Sequence, residues 1–487
     1  MDADTILEIK SALTQYLHGF DGCFGRVTAR RHLDTYVLGQ LGPLERKSIE
    51  PMADASGTPP RTLQEFLGLY RWDESAMRDQ LQQRVAEHHE HGHSVGLIDE
   101  TSFVKKGERT ACVQRQHCGA VGKQENCVVS VHLGYATPEF HTLLDGELFL
   151  PEDTWHADRK RCREAGIPDT VVYRSKWQIA LEQLDRARGN GVRLAWLTFD
   201  EGYGGKPPFL RELDRRGQNY VGEVPASFRV WTKPPAVLYR EHPGAPTHLG
   251  RPRKLPRLKV KNNPTVEVRN VAAYSPLFRR DGGQNYRVKD GSKGPMVWQV
   301  RRLRVWLEDE HGLPTAPHIL LVTRNVLHPE EVKYFLSNAP QDISTELLLL
   351  VAFSRWKIER MFEDGKGELG MDHFEVRKYL AIRRHLILSC VSYQFLAEFH
   401  QEHRGEKSGP GSLPGPHRHG SVGPDLVSRG PLFATVGPGD PAAVASDPAA
   451  QPQSRALPPQ TDPTPSSRCW AESQGLTHLP LASLVAL

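Results

Sequence analysis

The chain is poor in the features that mark membrane, secreted and zinc-ribbon proteins. Its longest apolar run, Leu347 to Phe353, falls far short of the roughly 20 residues needed to cross a bilayer. The opening residues Met1-Asp2-Ala3-Asp4 are acidic and no apolar segment follows them, which argues against a secretory leader. The expected location is therefore the cytoplasm. Seven cysteines in 487 residues are scattered, odd in number and never spaced C-x-x-C, so neither a disulfide framework nor a zinc ribbon is indicated. His117 beside Cys118 has no second pair at ligand spacing and reads as coincidence. No repeat of fixed period occurs.

With 38% hydrophobic residues over this length, the chain can bury at least one sizeable core and divide into two or three domains. A net charge of +4 permits nucleic-acid binding without demanding it. Two local clusters are more basic: Arg251 to Lys261, and Arg301-Arg302-Leu303-Arg304. Each reads equally well as a solvated face.

Along the chain, residues 1–90 carry helical periodicity. Within them, helices over Thr62–Leu69 and Asp73–His88 flank a tight turn at Tyr70-Arg71-Trp72 and resemble a helix-turn-helix, so this region is a candidate module for binding DNA ends. Plain helical packing is the competing reading. Residues 91–224 change to strands: Val95 to Ile98, Cys127 to Gly134 and Phe140 to Leu150, then a helix from Lys176 to Arg188, a strand from Arg193 to Phe199, a helix from Pro208 to Arg216 and a strand from Tyr220 to Val224. That order predicts an α/β fold with a mixed sheet flanked by helices. Residues 225–340 read as a β-rich insertion. Residues 341–403 return to helix, with one long pattern from Ser344 to about Lys366. Residues 404–487 are rich in Pro, Gly, Ser and Ala, bury too little to offset their ordering entropy, and are expected to be disordered.

Three acidic residues stand out. Asp99 and Asp200 each follow an apolar run and are expected at the C-terminal ends of core strands, where a rigid sheet holds carboxylates at fixed separation. Taken singly, each is a common turn former. Arg355, Glu359 and Lys366 fall on one helical stripe, one carboxylate between two cations, which on spacing alone also describes a solvated ion-pair ladder. Three carboxylates suit phosphodiester chemistry, because two divalent ions can activate the nucleophile and stabilise the leaving oxygen, and hard Mg²⁺ or Mn²⁺ prefers carboxylate ligands.

The sequence resembles bacterial insertion-sequence transposases of the DDE superfamily. The likeness is carried by Gly96-Leu-Ile-Asp-Glu-Thr-Ser-Phe-Val-Lys-Lys-Gly107, Val113-Gln-Arg-Gln116, Leu148-Phe-Leu-Pro-Glu152, Phe199-Asp-Glu-Gly-Tyr-Gly204 and Arg355 to Lys366, and extends over roughly residues 20–400. The resemblance implies a ribonuclease-H-like core, catalysis by Asp99, Asp200 and Glu359 with two Mg²⁺ or Mn²⁺ ions per site, and DNA contacts from Arg355, Lys366, Lys105 and Lys106. It also implies a homodimer at the paired transposon ends, action at the bacterial nucleoid, and an aromatic of the insertion that captures a flipped base, for which Trp298 is the candidate, with an ordinary half-buried tryptophan as the competing reading. Ala352 departs from the family's third motif, which has tyrosine there. Two alternatives stay open: a nuclease of the same fold that cuts without rejoining, and an inactive DNA-binding remnant.

Overall fold

The computed structural model describes residues 3–238, 255–276, 282–291, 294–403 and 435–436. Five helices open the chain: α1 Ala3–His18, α2 Val27–Leu41, α3 Ile49–Ser56, α4 Pro60–Gly68 and α5 Glu74–His88. Pro60 starts α4 with a fixed φ, and the Asp73 carboxylate caps α5 by accepting the Ser75 and Ala76 N–H groups. In α2, Leu33, Tyr36, Val37 and Gln40 recur at helical spacing and are buried. They face the 24-residue helix Tyr379–Glu402, to which Tyr36 Oη is bound through His385 Nδ1 at 2.7 Å and Gln40 through Ser389 Oγ at 2.9 Å.

The helical hairpin expected at Thr62–His88 forms, and its turn is packed against the long C-terminal helix. Arg384 of the long helix reaches into its turn and donates to the carbonyls of Leu67, Tyr70 and Trp72. Helix α5 buries Met77, Arg78, Leu81, Gln82 and Val85, and leaves Ser75, Gln83, Glu87 and His88 exposed.

The core follows as strands β1 Val95–Val104, β2 Gln114–Cys118, β3 Lys123–Ala136 and β4 His141–Leu148, helices α6 Arg159–Glu164 and α7 Lys176–Gly189, strand β5 Trp196–Phe199, helices α8 Glu201–Gly204 and α9 Pro207–Arg215, and strand β6 Val221–Glu223. Strand β1 runs antiparallel to β3 and parallel to β5, while β2 and β4 both pair with β3. The sheet is therefore mixed, as expected, with α6 and the hairpin strand β2 as additions. A Ser175 capping box starts α7, whose Ile179, Leu184 and Ala187 pack with Ile98, Leu133, Leu197 and Phe199 on one face of the sheet. Leu97 points the other way, into the cluster that holds the C-terminal helices.

Four two-residue strands, β7 Arg229–Val230, β8 Val237–Leu238, β9 Arg257–Leu258 and β10 Val266–Glu267, and helix α10 Val268–Tyr274 precede a second sheet. Its strands β11 Gln284–Gly291, β12 Gly294–Glu308, β13 Pro314–Asn325 and β14 Val332–Ser337 form an antiparallel meander. Strand β14 pairs with β6, which lies against β5 through a Leu197–Tyr220 bridge, so the two sheets meet edge to edge. The cluster at Arg301-Arg302-Leu303-Arg304 is partly spent on this architecture: Arg302 donates to the Gln341 and Ile343 carbonyls and Arg304 to the Gln341 side chain. Residues 251–254 of the other basic cluster lie outside the described residues. So does the tail expected to be disordered, apart from β15 Thr435–Val436, which pairs with β11.

The single helix expected over 344–366 is two: α11 Thr345–Phe353, capped by Ser344, and α12 Trp356–Gly367. The break falls at Ser354 and Arg355, where Ser354 Oγ donates to the Val351 carbonyl at 2.7 Å, a local bond that competes with continued helix. Helix α13 Tyr379–Glu402 closes the fold.

Candidate active site

Asp99 does not end its strand. Strand β1 continues to Val104 because β3 pairs with it over the whole length, with Asp99 opposite His132. Against the parallel neighbour β5, however, the last rung is Ile98↔Phe199, so Asp99 and Asp200 are the next residues on two adjacent strands, which run about 4.8 Å apart. Side chains alternate along a strand. Ile98 and Phe199 face α7 and α9, which turns Asp99 and Asp200 to the opposite face, where Leu97 packs with Ile358 and Met361 of α12.

Asp200 is held by its own turn. Its Oδ1 accepts from Gly202 N at 2.9 Å and Tyr203 N at 3.3 Å, capping α8. Gly204 ends that turn against β6: a Cβ there would lie 1.9 Å from the Glu223 carbonyl oxygen. The Asp-Glu-Gly-Tyr-Gly pattern is thus a carboxylate, its cap and a glycine that lets the turn sit on the neighbouring strand.

Arg355, at the α11–α12 break, joins the two motifs. Its Nη1 lies 2.9 Å from Asp99 Oδ2 and its Nη2 2.6 Å from Glu359 Oε1. The Asp99, Arg355 and Glu359 side chains are 14%, 21% and 54% exposed, a set that is half sunk and open on the Glu359 side. Burial pushes the Asp99 carboxyl up to about 7; Arg355 opposes the shift and the charge of Asp200 adds to it. Burial also works against the Arg355 charge, but Glu359 and Asp99 outweigh it and hold the guanidinium above its ordinary value. The rival acids are engaged elsewhere, Glu363 and Asp364 with Arg360 at 3.5 and 2.8 Å.

The expected DNA-contacting residues separate. Lys366 Nζ donates to the Ser102 carbonyl at 3.2 Å and lies 5.6 Å from the Phe103 ring centroid, and its burial lowers its pKa. Lys105 donates to the Phe374 carbonyl at 2.7 Å and covers that ring, and burial pulls it down to about 8. Lys106 is exposed. Trp298 is corrected: it is 1% exposed in β12 and packs on Phe353 at 5.1 Å between ring centroids, because the alternation of β12 turns it inward. The exposed aromatic at the site is Trp356, 43% exposed, next to Arg355. Its place directly after Arg355, at the start of α12, was the available signal.

Sequence reasoning also missed the bracing among the motif stretches. Trp155 Nε1 donates to the Val113 carbonyl at 2.7 Å and Thr154 Oγ1 to Gln114 at 2.9 Å. Lys176 pairs with Glu100 on the opposite side of β1 from Asp99. Beneath the sheet, Arg78 pairs with buried Asp145 at 3.1 Å and Arg383 with Glu147 at 3.3 Å.

The donor set suits a hard divalent cation: Asp99 and Glu359 share one guanidinium and Asp200 adds a third carboxylate, which leaves negative charge over, and all their donors are oxygens. Its spacing as it stands does not close on one, since no three His, Cys, Asp or Glu side chains among the described residues are grouped to hold a metal.

A mixed sheet of this order with helices on both faces is the ribonuclease-H-like class of fold. The chain belongs to the DDE superfamily endonuclease family, whose profile matches residues 19–295. That match includes Asp99 and Asp200 and ends before Arg355. The chain is also similar to a probable transposase for insertion sequence element IS701 of Microchaete diplosiphon, with 25% identity over 231 residues, 47% of this chain and 56% of the relative. The chain thus spans about half the length of that curated relative. Among the described residues no helix is long and apolar enough to cross a membrane.

Proposed function

We propose that the protein is a DNA transposase that cuts the ends of its element and joins the freed 3′-hydroxyls to target DNA, with Asp99, Asp200 and Glu359 as its catalytic carboxylates. The observation that carries this reading is the placement of Asp99 and Asp200 side by side on one sheet face, with Glu359 tied to the same point through Arg355. The family match and the likeness to an insertion-sequence transposase support DNA as the substrate.

Asp99, Asp200 and Glu359 would hold two Mg²⁺ or Mn²⁺ ions, which when bound activate water or a 3′-hydroxyl and neutralise charge on the phosphate. The protein's own part is positional. The α8 cap fixes the Asp200 carboxylate, β1 fixes Asp99 and the first turn of α12 fixes Glu359. Lys106 and Trp356 are exposed, and a phosphate and a nucleobase are their proposed partners. Lys366 sits deeper and reaches a phosphate only by leaving the Ser102 carbonyl. The reaction joins two DNA ends, so the working form is proposed to be a homodimer acting at the nucleoid.

The test is cleavage of the element's own end DNA by purified protein in Mg²⁺, beside Asp99→Ala. Both proteins should bind the ends and only the unmutated one should cut. Equal nicking by the two would remove the carboxylate assignment. Transfer of the cut strand into a plasmid, scored in the same reaction, separates a transposase from a nuclease that only cuts.

A further inference from the structure

The guanidinium that gathers the site also occupies its oxygens. Arg355 engages Asp99 Oδ2 at 2.9 Å and Glu359 Oε1 at 2.6 Å with two different nitrogens, the forked geometry that suits arginine and not lysine. Asp200 and Glu223 add to the negative surroundings that favour its charge, although Glu223 has its own cation in Lys333 at 3.1 Å. A divalent ion takes carboxylate oxygens at about 2.0–2.1 Å and demands their lone pairs in near-octahedral directions. Two of the three proposed ligands now direct an oxygen at Arg355. A guanidinium cannot keep both while an ion of like sign enters between them.

We propose that Arg355 is a positioning residue that serves as the resident counter-cation of Asp99 and Glu359, holding them together before metal arrives and giving up at least one of them when it binds. A further observation favours this. Arg355 lies at the break between α11 and α12 with its side chain partly exposed, so it can leave without unfolding a helix. Once released it stands on the crevice face, where a DNA phosphate can accept its hydrogen bonds. The inference rests on the metal-dependent reading above.

The test uses the full-length protein without DNA and Mn²⁺ as the probe, with free Mn²⁺ read by electron paramagnetic resonance. Arg355→Gln should bind Mn²⁺ about tenfold more tightly than the unmutated protein, and should melt several degrees lower in the absence of metal. A merely structural arginine would give the opposite sign, because disordered carboxylates bind the ion less well. Equal or weaker Mn²⁺ binding by Arg355→Gln therefore overturns the proposal. If Arg355→Gln does not fold, Arg355→Lys carries the comparison: its single ammonium cannot hold both acids, so it should bind Mn²⁺ about threefold more tightly than the unmutated protein, and an unchanged affinity overturns the proposal. Failure of every form, including the unmutated one, to bind Mn²⁺ would instead sink the metal-dependent reading on which the inference rests.

Discussion

Asp99 and Asp200 stand next to each other on parallel strands, one step beyond the Ile98–Phe199 rung. Burial, together with that second carboxylate, pushes Asp99 up to about 7, above the ordinary value of about 3.9 that it has in the unfolded chain. A raised folded-state value means that the folded protein holds the proton more tightly. The contribution of Asp99 to stability is therefore fully present below about pH 4 and lost as the pH climbs through about 7. Metal-free protein should lose more stability between about pH 5 and about pH 8 than Asp99→Asn does, in denaturant melts at the two values. A difference that stays constant would show that Asp99 is not the buried acid described.

The placement of Glu359 can be separated from its neighbours. Glu359→Gln should lower the cleavage rate about a thousandfold, or ~4 kcal/mol of barrier, as expected for loss of a metal ligand. Glu363→Gln, whose carboxylate pairs with Arg360, should stay within about twofold. Comparable losses in single-turnover cleavage by the two variants would count against Glu359 as the third carboxylate.

Gly204 has no room for a side chain, since its Cβ would meet the Glu223 carbonyl oxygen at 1.9 Å. Gly204→Ala should destabilise the fold by about 3 kcal/mol, the upper range of overpacking costs. Gly189→Ala, with nothing within 4 Å of its added carbon, should cost no more than about 1 kcal/mol. Equal thermal melts for the two variants would contradict the seating of the Asp200 turn on β6.

Two tryptophans divide structure from function. Trp298→Ala removes a buried side chain and should cost about 3–5 kcal/mol of stability. Trp356→Ala, on the exposed first turn of α12, should leave the melting transition within about 1 kcal/mol and weaken end-DNA affinity by about tenfold, in line with loss of one base-stacking contact. Unchanged DNA affinity would remove Trp356 from the interface.

Much of this was legible in the chain because its signals were local. The apolar runs before Asp99 and Asp200 named two core strands, and the spacing of Arg355 and Glu359 gave a pair that meets at 2.6 Å. The parallel register of β1 and β5 was not legible, since it depends on which strands become neighbours and not on their own residues. Trp298 could be read as a base-capturing aromatic or as an ordinary half-buried tryptophan, and only the alternation of a 15-residue strand shows it turned inward. The break at Ser354 was hidden by an unbroken helical pattern, and the inward role of Lys366 by charge, which usually signals solvent. The anchoring of the hairpin at 62–88 was not legible either, because sequence does not reveal that Arg384, more than 300 positions later, threads into its turn.

Strand β6 is only three residues long, yet it is the seam between the strand that leads into Asp200 and the whole antiparallel meander. A load placed on that meander by a docked partner would pass along backbone hydrogen bonds to the turn that aims one of the acids. The meander is thus joined through one short strand to the turn that carries Asp200, and a cysteine cross-link across that seam would fix the two sheets to each other.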